Sequence, residues 1–143
     1  MISRTEFENF NKKFEVVSAF VEHNGKILLL HRQDDRPQGN TWAVVAGKVK
    51  DKETLIDALT REIEEEVEIK LKDSDCKYFS KYYIRYLEYD FIFHVYHILL
   101  TQEPKIILNL KEHKDYVWIT PQEALKRNLI QDEDQSIKWF YGL

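Results

Sequence analysis

The segment that most constrains the fold is the run from Gly47 to Ile69, GKVKDKETLIDALTREIEEEVEI. A glycine near the end of a predicted strand and a short loop lead there into a predicted helix over Thr54 to Val67. Thr54, followed three residues later by Asp57, is typical of a helix N-terminus. Apolar residues recur at helical spacing and form one arc, which predicts a helix packed on a sheet; they are Leu55, Ile56, Leu59, Ile63 and Val67.

Acidic residues lie beside this apolar arc. Glu65 and Glu66 lie three and four positions after Glu62, so the three project to the same side of the helix, whereas Glu64 points into solvent. Like charges at these spacings repel by about 0.2–0.5 kcal/mol per pair, and a bound cation would reverse that effect. Carboxylate oxygens suit Mg²⁺ or Mn²⁺. An acidic run is more often only a solvated helix face, so the surrounding pattern has to decide.

Strand-forming segments flank this unit on both sides. Phe14 to Glu22 and Lys26 to His31 are two such runs, and Asn24-Gly25 between them predicts a hairpin. Trp42 to Val49 is predicted as one strand that leads into the acidic region. Further strands are predicted at Lys77 to Leu87, Asp90 to Thr101 and Tyr116 to Ile119.

Two further helices are predicted near the end of the sequence. One follows Thr120 and Pro121. The acidic run Asp132 to Asp134 is interpreted as the start of the other, where acids complement the helix dipole. This order of strands and helices predicts an α/β fold with a mixed sheet and helices on its faces. No repeat or shift in composition divides the chain, so residues 1–143 are expected to form a single domain.

Composition excludes several classes of function. No apolar run approaches the ~20 residues that span a bilayer, and Met1 to Lys13 lacks the apolar stretch of a secretion signal. Cys76 is the only cysteine, so a reducing, cytoplasmic location is expected. A net charge of −4 argues against a nucleic-acid partner but permits a small phosphorylated substrate. Composition leaves the oligomeric state open, a homodimer included.

The run that begins at Gly47 resembles the Nudix box, G-x5-E-x7-R-E-U-x-E-E-x-G-U, in which U is a bulky aliphatic residue. The matching positions are Gly47, Glu53, Arg61, Glu62, Ile63, Glu65, Glu66 and Ile69. One position departs, because Glu68 stands where the family has a glycine. A glycine there adopts the left-handed conformation, which costs other residues roughly 1 kcal/mol. The helix is therefore expected to end differently in this chain.

The resemblance implies a Nudix-type α/β/α sandwich and a metal-dependent hydrolase. Nudix hydrolases cleave a diphosphate bond in a nucleoside diphosphate linked to a further group. Carried over to this sequence, Glu62, Glu65 and Glu66 would hold Mg²⁺ or Mn²⁺, together with a backbone carbonyl near Ala46 or Gly47.

The resemblance also implies roles around the metal ligands. Glu53 and Arg61 would shape the loop and helix. Glu65 or Glu66 would serve as general base, with Glu112 or Asp115, outside the box, as alternatives.

Three residues are candidates for substrate binding. Lys48 follows the box glycine and would contact a phosphate, although a solvent-facing lysine is an equally good interpretation. Trp42 offers an aromatic surface, and Arg32 lies at the mouth of a predicted loop. Aromatic residues in strands are more often core, which weakens the assignment for Trp42.

The substrate favoured by this reasoning is a nucleoside triphosphate, cleaved to a nucleoside monophosphate and pyrophosphate. A nucleotide sugar, ADP-ribose or a dinucleoside polyphosphate is the alternative within the same enzyme class. A Nudix module that senses nucleotides without turnover is the alternative from another class. The intact carboxylates Glu62, Glu65 and Glu66 argue against it, since a sensor has no need of three mutually repelling charges.

Overall fold

A computed structural model describes all residues from Met1 to Leu143. Its strands are β1 Ile2–Ser3, β2 Lys12–His23, β3 Lys26–Arg32, β4 Trp42–Ala43, β5 Val45–Lys48, β6 Lys77–Arg85, β7 Asp90–Leu99 and β8 His113–Ile119. Its α-helices are α1 Leu55–Val67, α2 Pro121–Ala124 and α3 Glu133–Tyr141. None of these helices is both long and apolar enough to cross a membrane.

All eight strands belong to one mixed sheet. The main order is β1-β6-β7-β2-β3-β4, with β5 added to β2 and β8 added to β3. Strands β2 and β7 run parallel, whereas every other pair is antiparallel. The mixed sheet predicted from the element order is confirmed.

Helices cover both faces of this sheet because side chains alternate along β2. Val17, Ala19 and Val21 pack in the same apolar cluster as α1, while Phe20 packs with Ile137 of α3 on the other face. Alternation of this kind is what a strand buried on both sides requires. The α/β/α sandwich is confirmed.

The turn between β2 and β3 follows the predicted chemistry. Asn24 has φ 50° and Gly25 has φ 75°, so both central residues adopt the positive φ that a two-residue hairpin requires. The prediction of a hairpin at this point is confirmed.

The prediction of one strand over Trp42 to Val49 was wrong in one detail. Residue Val44 interrupts it and separates β4 from β5. The N–H of Val44 donates a hydrogen bond of 2.9 Å to Oε1 of Glu133. A carboxyl group of α3 therefore takes the backbone donor that a continuous strand would have used in the sheet.

The end of α1 also differs from expectation. Glu68 adopts the left-handed conformation, with φ 57° and ψ 39°, and its N–H donates to the carbonyl of Glu64 over 3.0 Å. The helix therefore ends as a glycine would end it, and the expectation of a different shape was wrong. The cost of this conformation for a residue with a Cβ remains, at roughly 1 kcal/mol.

Candidate active site

Burial of the apolar arc sets the rotation of α1 about its axis. The hydroxyl of Thr54 fixes the helix start by accepting a hydrogen bond from the Asp57 N–H over 3.2 Å. Four side chains of the helix are fully buried against the sheet: Ala58, Leu59, Ile63 and Val67. Beside that arc, the Glu62 carboxylate consequently lies against the backbone of Gly47, and the Glu66 carboxylate lies against His113.

Arg61 joins this loop to the helix. Its Nε and Nη2 donate to the two carboxylate oxygens of Glu53 over 2.7 and 2.9 Å, which makes a bidentate salt bridge. Its Nη1 donates to Glu62 over 2.7 Å and to Glu65 over 3.2 Å. Nη2 also donates to the carbonyl of Lys48 over 3.1 Å. A planar guanidinium presents these donors in one fixed geometry, so a single residue aligns three carboxylates.

These contacts and burial act in opposite directions on the carboxyl groups. The hydrogen bonds from Arg61 lower the pKa of Glu53 from 4.5 to about 2. Burial raises the pKa of Glu62 above 4.5, and Arg61 opposes that shift without cancelling it. A cation near Glu62 would therefore relieve a group that the fold has partly desolvated.

Gly47 provides the space in which the Glu62 side chain lies. A Cβ added at Gly47 would overlap the carboxylate group of Glu62. Gly47 pairs with Val17 of β2, so its position is fixed by the sheet. The carboxylate therefore lies directly against the backbone, where a residue with a side chain would displace it.

Glu66 is the most buried carboxylate of the helix and is 7% exposed. Its Oε2 lies 2.9 Å from Nδ1 of His113, the first residue of β8. The backbone carbonyl of Glu66 accepts the N–H of Asn109 over 3.1 Å. The segment before β8 thus holds Glu66 in place from two directions.

The carboxylates do not converge as a complete set of metal ligands. No group of three or more His, Cys, Asp or Glu side chains has such an arrangement. Each carboxylate has one oxygen on a cationic or imidazole partner and one without: the hydrogen-bonded atoms are Glu62 Oε1, Glu65 Oε2 and Glu66 Oε2. The donor set, carboxylate oxygens beside the backbone of Gly47, is chemically suited to a hard divalent cation.

A cavity of about 320 Å³ lies between the sheet and the start of α3. Its aromatic lining consists of Phe14, Tyr86, Tyr89, Phe91 and Phe93. Its charged and titratable lining also includes Arg32, Arg36, Lys48, Glu66, Glu112, His113, Asp132 and Glu133. Apolar walls with a few polar groups are the usual composition of small-molecule sites. Glu66 belongs both to this wall and to the acidic helix.

The structure places two of the predicted substrate-binding residues in the wall and one outside it. Lys48 lines the cavity with its Nζ 4.3 Å from the ring centre of Phe14. Arg32 lines it too, and burial lowers the pKa of its guanidinium. Trp42 instead stacks on His31, with ring centres 4.3 Å apart, and does not line the cavity.

The two candidate bases outside the helix are separated in the same way. Glu112 lines the cavity and pairs with Arg36 over 3.0 Å. Asp115 lies within β8, where its carboxylate accepts the N–H of Tyr116, and it does not line the cavity.

Sequence reasoning missed Glu133. The run Asp132 to Asp134 does begin α3, but Asp132 makes no capping hydrogen bond and Glu133 is buried, with 4% of its surface exposed. Burial raises the pKa of Glu133 from 4.5 to about 7. His113 and Arg36 were also missed. Their only mark in the sequence is proximity to the predicted candidates Glu112 and Arg32.

Comparison with known proteins gives a family match over most of the chain. The family described as NUDIX domain matches residues 12–140. The chain is 30% identical over 134 residues to CTP pyrophosphohydrolase of Escherichia coli (strain K12), covering 92% of this chain and 94% of that protein. It is 25% identical over 139 residues to dihydroneopterin triphosphate diphosphatase of Haemophilus influenzae, covering 90% and 86%.

Solved structures show the same likeness. The solution structure of the Escherichia coli ORF135 protein superposes with a TM-score of 0.74 at 28% identity. That match covers 97% of this chain and 95% of the other. The likeness therefore extends over nearly the whole sandwich and is not confined to the acidic helix.

Proposed function

Since the chain belongs to the NUDIX family and is a Nudix hydrolase, we propose that it hydrolyses a nucleoside triphosphate to a nucleoside monophosphate and pyrophosphate. The metal would be Mg²⁺ or Mn²⁺, in line with the general use of divalent metals by Nudix hydrolases. A nucleotide sugar, ADP-ribose or a dinucleoside polyphosphate is the alternative substrate. The single cysteine, Cys76, supports a cytoplasmic location.

The observation that carries this proposal is that Glu66 belongs both to the acidic helix and to the cavity wall. It is a buried carboxylate of the acidic helix and also part of the wall of an aromatic cavity. A ligand whose phosphates reach Glu66 would place its other end against aromatic rings. That division, charged at one end and aromatic at the other, matches a nucleotide.

The proposed metal ligands are Glu62, Glu65, Glu66 and the backbone of Gly47. Each of the three carboxylates keeps one oxygen free of hydrogen bonds within the protein. A divalent cation held there would offset the charge of the diphosphate and lower the pKa of a bound water molecule. Arg61 and Glu53 keep the carboxylates aligned and do not need to touch substrate.

Residues of the chain supply the remaining steps of the reaction. Lys48 and Arg32 lie in the wall and offer positive charge to phosphate oxygens. Glu66 or Glu65 accepts a proton from the attacking water, with Glu112 as the alternative that also lines the cavity. The water oxygen bonds to one of the two phosphorus atoms, α or β, and the bond between that phosphorus and the bridging oxygen breaks; the bridging oxygen leaves with the other phosphoryl group, which gives the nucleoside monophosphate and pyrophosphate.

The test is a substrate panel with matched variants. Purified protein would be incubated with nucleoside triphosphates, nucleotide sugars, ADP-ribose and dinucleoside polyphosphates, with Mg²⁺, with Mn²⁺ and with a chelator. Products would be separated by ion-exchange chromatography. Water labelled with ¹⁸O would show which phosphorus is attacked. Glu66→Gln removes one carboxylate charge from the site, and Glu64→Gln removes the same charge from the solvent face of the same helix.

The expected result is cleavage that requires a divalent metal and falls at least a hundredfold in Glu66→Gln, an effect of about 2.7 kcal/mol. Glu64→Gln should retain normal rates. Cleavage only of the alternative substrates would overturn the triphosphate assignment. Equal rates in the two variants would overturn the assignment of Glu66.

A further inference from the structure

Three titratable side chains outside the cavity form a continuous series of hydrogen bonds across β6, β7 and β2. The phenol oxygen of Tyr78 lies 2.9 Å from Nδ1 of His94, and Nε2 of His94 lies 2.7 Å from Oε1 of Glu15. None of the three lines the cavity, whereas Phe14 and Val16, the neighbours of Glu15 along β2, do. Because side chains alternate along a strand, Glu15 points to the opposite face. The trio is therefore separate from the candidate active site.

Both oxygens of the Glu15 carboxylate are held in place. Oε1 is bonded to His94, and Oε2 accepts a hydrogen bond from Nζ of Lys12 over 3.2 Å. The bond to His94 is the main cause that lowers the pKa of Glu15 below 4.5, against the effect of burial. An ionised carboxylate can only accept, so Nε2 of the neutral imidazole carries the proton. Nδ1 then has a free lone pair and accepts the O–H of Tyr78.

Exposure to solvent differs along the trio. Tyr78 is 48% exposed, whereas His94 is 5% exposed. Small molecules can therefore approach the tyrosine while the imidazole behind it is shielded. A nucleophile at the surface, a base within hydrogen-bond distance of it and a third group that orients the base make up an activated nucleophile.

The base is needed because the phenol does not ionise readily by itself. Burial raises the pKa of Tyr78, so free phenolate is scarce near neutral pH. A bond from the phenol oxygen to an electrophile can still form when a base takes the proton in the same step. Tyr78 is the one tyrosine whose phenol is hydrogen-bonded to an imidazole; those of Tyr86 and Tyr141 donate to a backbone carbonyl and to a carboxylate.

We propose that Tyr78 is a nucleophile that takes an acyl group from activated esters, with His94 as its base and Glu15 as the residue that orients the imidazole. The phenol oxygen bonds to the carbonyl carbon of the ester while its proton passes to Nδ1 of His94. The bond between that carbon and the leaving oxygen breaks, and the leaving group departs with the electron pair. His94 then releases the proton to water, and Tyr78 carries the acyl group as an ester.

Positive charge on the same face bears on the class of acyl donor. Lys81 lies opposite His94 in the pairing of β6 with β7, so both side chains project to one face of the sheet. A cation there favours donors whose leaving group departs as an anion. Aryl esters and acyl phosphates share that property, and 4-nitrophenyl acetate is a probe that has it.

Acetylation by 4-nitrophenyl acetate tests the nucleophile. The protein would react near neutral pH with a chelator present, so that no metal takes part. Peptide mapping by mass spectrometry would give the rate at each tyrosine, and brief hydroxylamine treatment would remove acetyl groups from phenol oxygens but not from lysine. We expect Tyr78 to react at least about tenfold faster than Tyr116, which is 39% exposed and has no imidazole partner. Equal rates at the two tyrosines would overturn the inference.

Variants test the base and the residue that orients it. Glu15→Gln keeps an acceptor for Nε2–H and removes the charge, and Glu64→Gln makes the same change on an exposed helix face as control. Acetylation of Tyr78 should slow about tenfold in Glu15→Gln and stay normal in Glu64→Gln. His94→Gln removes the base and should abolish the advantage of Tyr78 over Tyr116. An unchanged rate in Glu15→Gln would overturn the inference, and this variant decides if His94→Gln does not fold.

The tautomer of His94 is a second readout, which a merely structural role of Glu15 would not change. Imidazole ¹⁵N chemical shifts should place the proton on Nε2 in the wild type. In Glu15→Gln the form protonated on Nδ1 should gain population, because a neutral amide holds Nε2–H less strongly than a carboxylate does. A wild-type proton on Nδ1 would overturn the assignment of His94 as base. Neither nucleotide nor metal enters these measurements, so their failure leaves the proposed hydrolysis untouched.

Discussion

Two acidic segments of this chain look alike in sequence and differ in electrostatics. Glu62 to Glu66 on α1 and Asp132 to Asp134 at the start of α3 are both short runs of carboxylates. In the first, Arg61 or His113 contacts every carboxylate that faces the site. In the second, Glu133 is buried with only a backbone N–H as partner. The comparison teaches that burial and partners, not the acidic run itself, decide what a carboxyl group can do.

The pKa values of the two regions express this difference. Hydrogen bonds from Arg61 hold the pKa of Glu53 at about 2, so this group stays ionised at all physiological pH values. Burial lifts the pKa of Glu133 to about 7, so this group changes its charge near neutrality. One region is suited to cations, the other to hydrogen bonding by a neutral acid.

The largest expected effect is on the free energy of unfolding. Its absence would show that Glu133 does not differ from an ordinary exposed carboxyl group. The pKa of Glu133 is raised on folding from 4.5 to about 7, so its protonated form stabilises the folded state. That contribution is complete below about pH 4.5 and is lost as the pH rises through about 7, by at most about 3 kcal/mol. Glu133→Gln cannot titrate and should lack this loss. Urea unfolding of both proteins between about pH 5 and 8 measures it, and parallel stability curves would show that Glu133 titrates normally.

A second prediction concerns the cation side. Gly47→Ala introduces a Cβ that overlaps the Glu62 carboxylate, and the side chain must move away. A displacement of about 1 Å near reacting groups can lower kcat/KM about a hundredfold. Steady-state kinetics measure the effect. In a Glu62→Ala background the same change should cost little, because the overlapping group is gone; an undiminished cost there would place the cause elsewhere.

A third prediction separates the two ends of the cavity. Lys48→Met removes a positive charge from the wall and should raise KM about tenfold for every nucleotide alike, as expected for a phosphate contact. Lys50→Met, which removes a charge from an exposed lysine two positions on, is the control. A base-dependent change in Lys48→Met would contradict this division.

The smallest expected effect is at the end of the acidic helix. Glu68 has φ 57°, a conformation that glycine adopts without strain. Glu68→Gly should therefore stabilise the protein by about 0.5–1 kcal/mol, seen as a higher midpoint of thermal unfolding. Glu64→Gly, in the same helix but with helical backbone, should destabilise by about 1 kcal/mol. A lower midpoint in Glu68→Gly would contradict the prediction.

Much of the fold was predictable because the deciding information is local. Asn24-Gly25 specifies its turn through the φ angles of two residues, and Thr54 specifies a helix start through one hydrogen bond. The break at Val44 could not be predicted, since it depends on Glu133, a residue 89 positions away. Local patterns do not encode contacts at that separation.

The same difference between local and long-range contacts decides which parts of the candidate site could be predicted. The spacing of Arg61 from Glu53, Glu62 and Glu65 within one loop and one helix makes their contacts predictable. The structure places all three glutamates within hydrogen-bond distance of Arg61. Trp42 lies outside the cavity wall, a placement that the sequence could not give, because strand alternation leaves open which face carries the ligand. His113 and Glu133 reach the site only through strand pairing and helix packing.

The parallel pairing of β2 with β7 has a consequence for how the protein is made. Phe14 lies opposite Phe91, and Val16 opposite Phe93, so the cavity floor joins residues far apart in the chain. Pairing at such separation is slow, and chains emerge from the ribosome from the N-terminus first. When α1 has emerged from the ribosome, the nascent chain already contains every carboxylate of the acidic helix. Strand β7, which supplies Phe91 and Phe93 to the cavity, has not yet emerged. The carboxylates proposed to hold the cation are therefore synthesised before the aromatic residues of β7 that line the cavity.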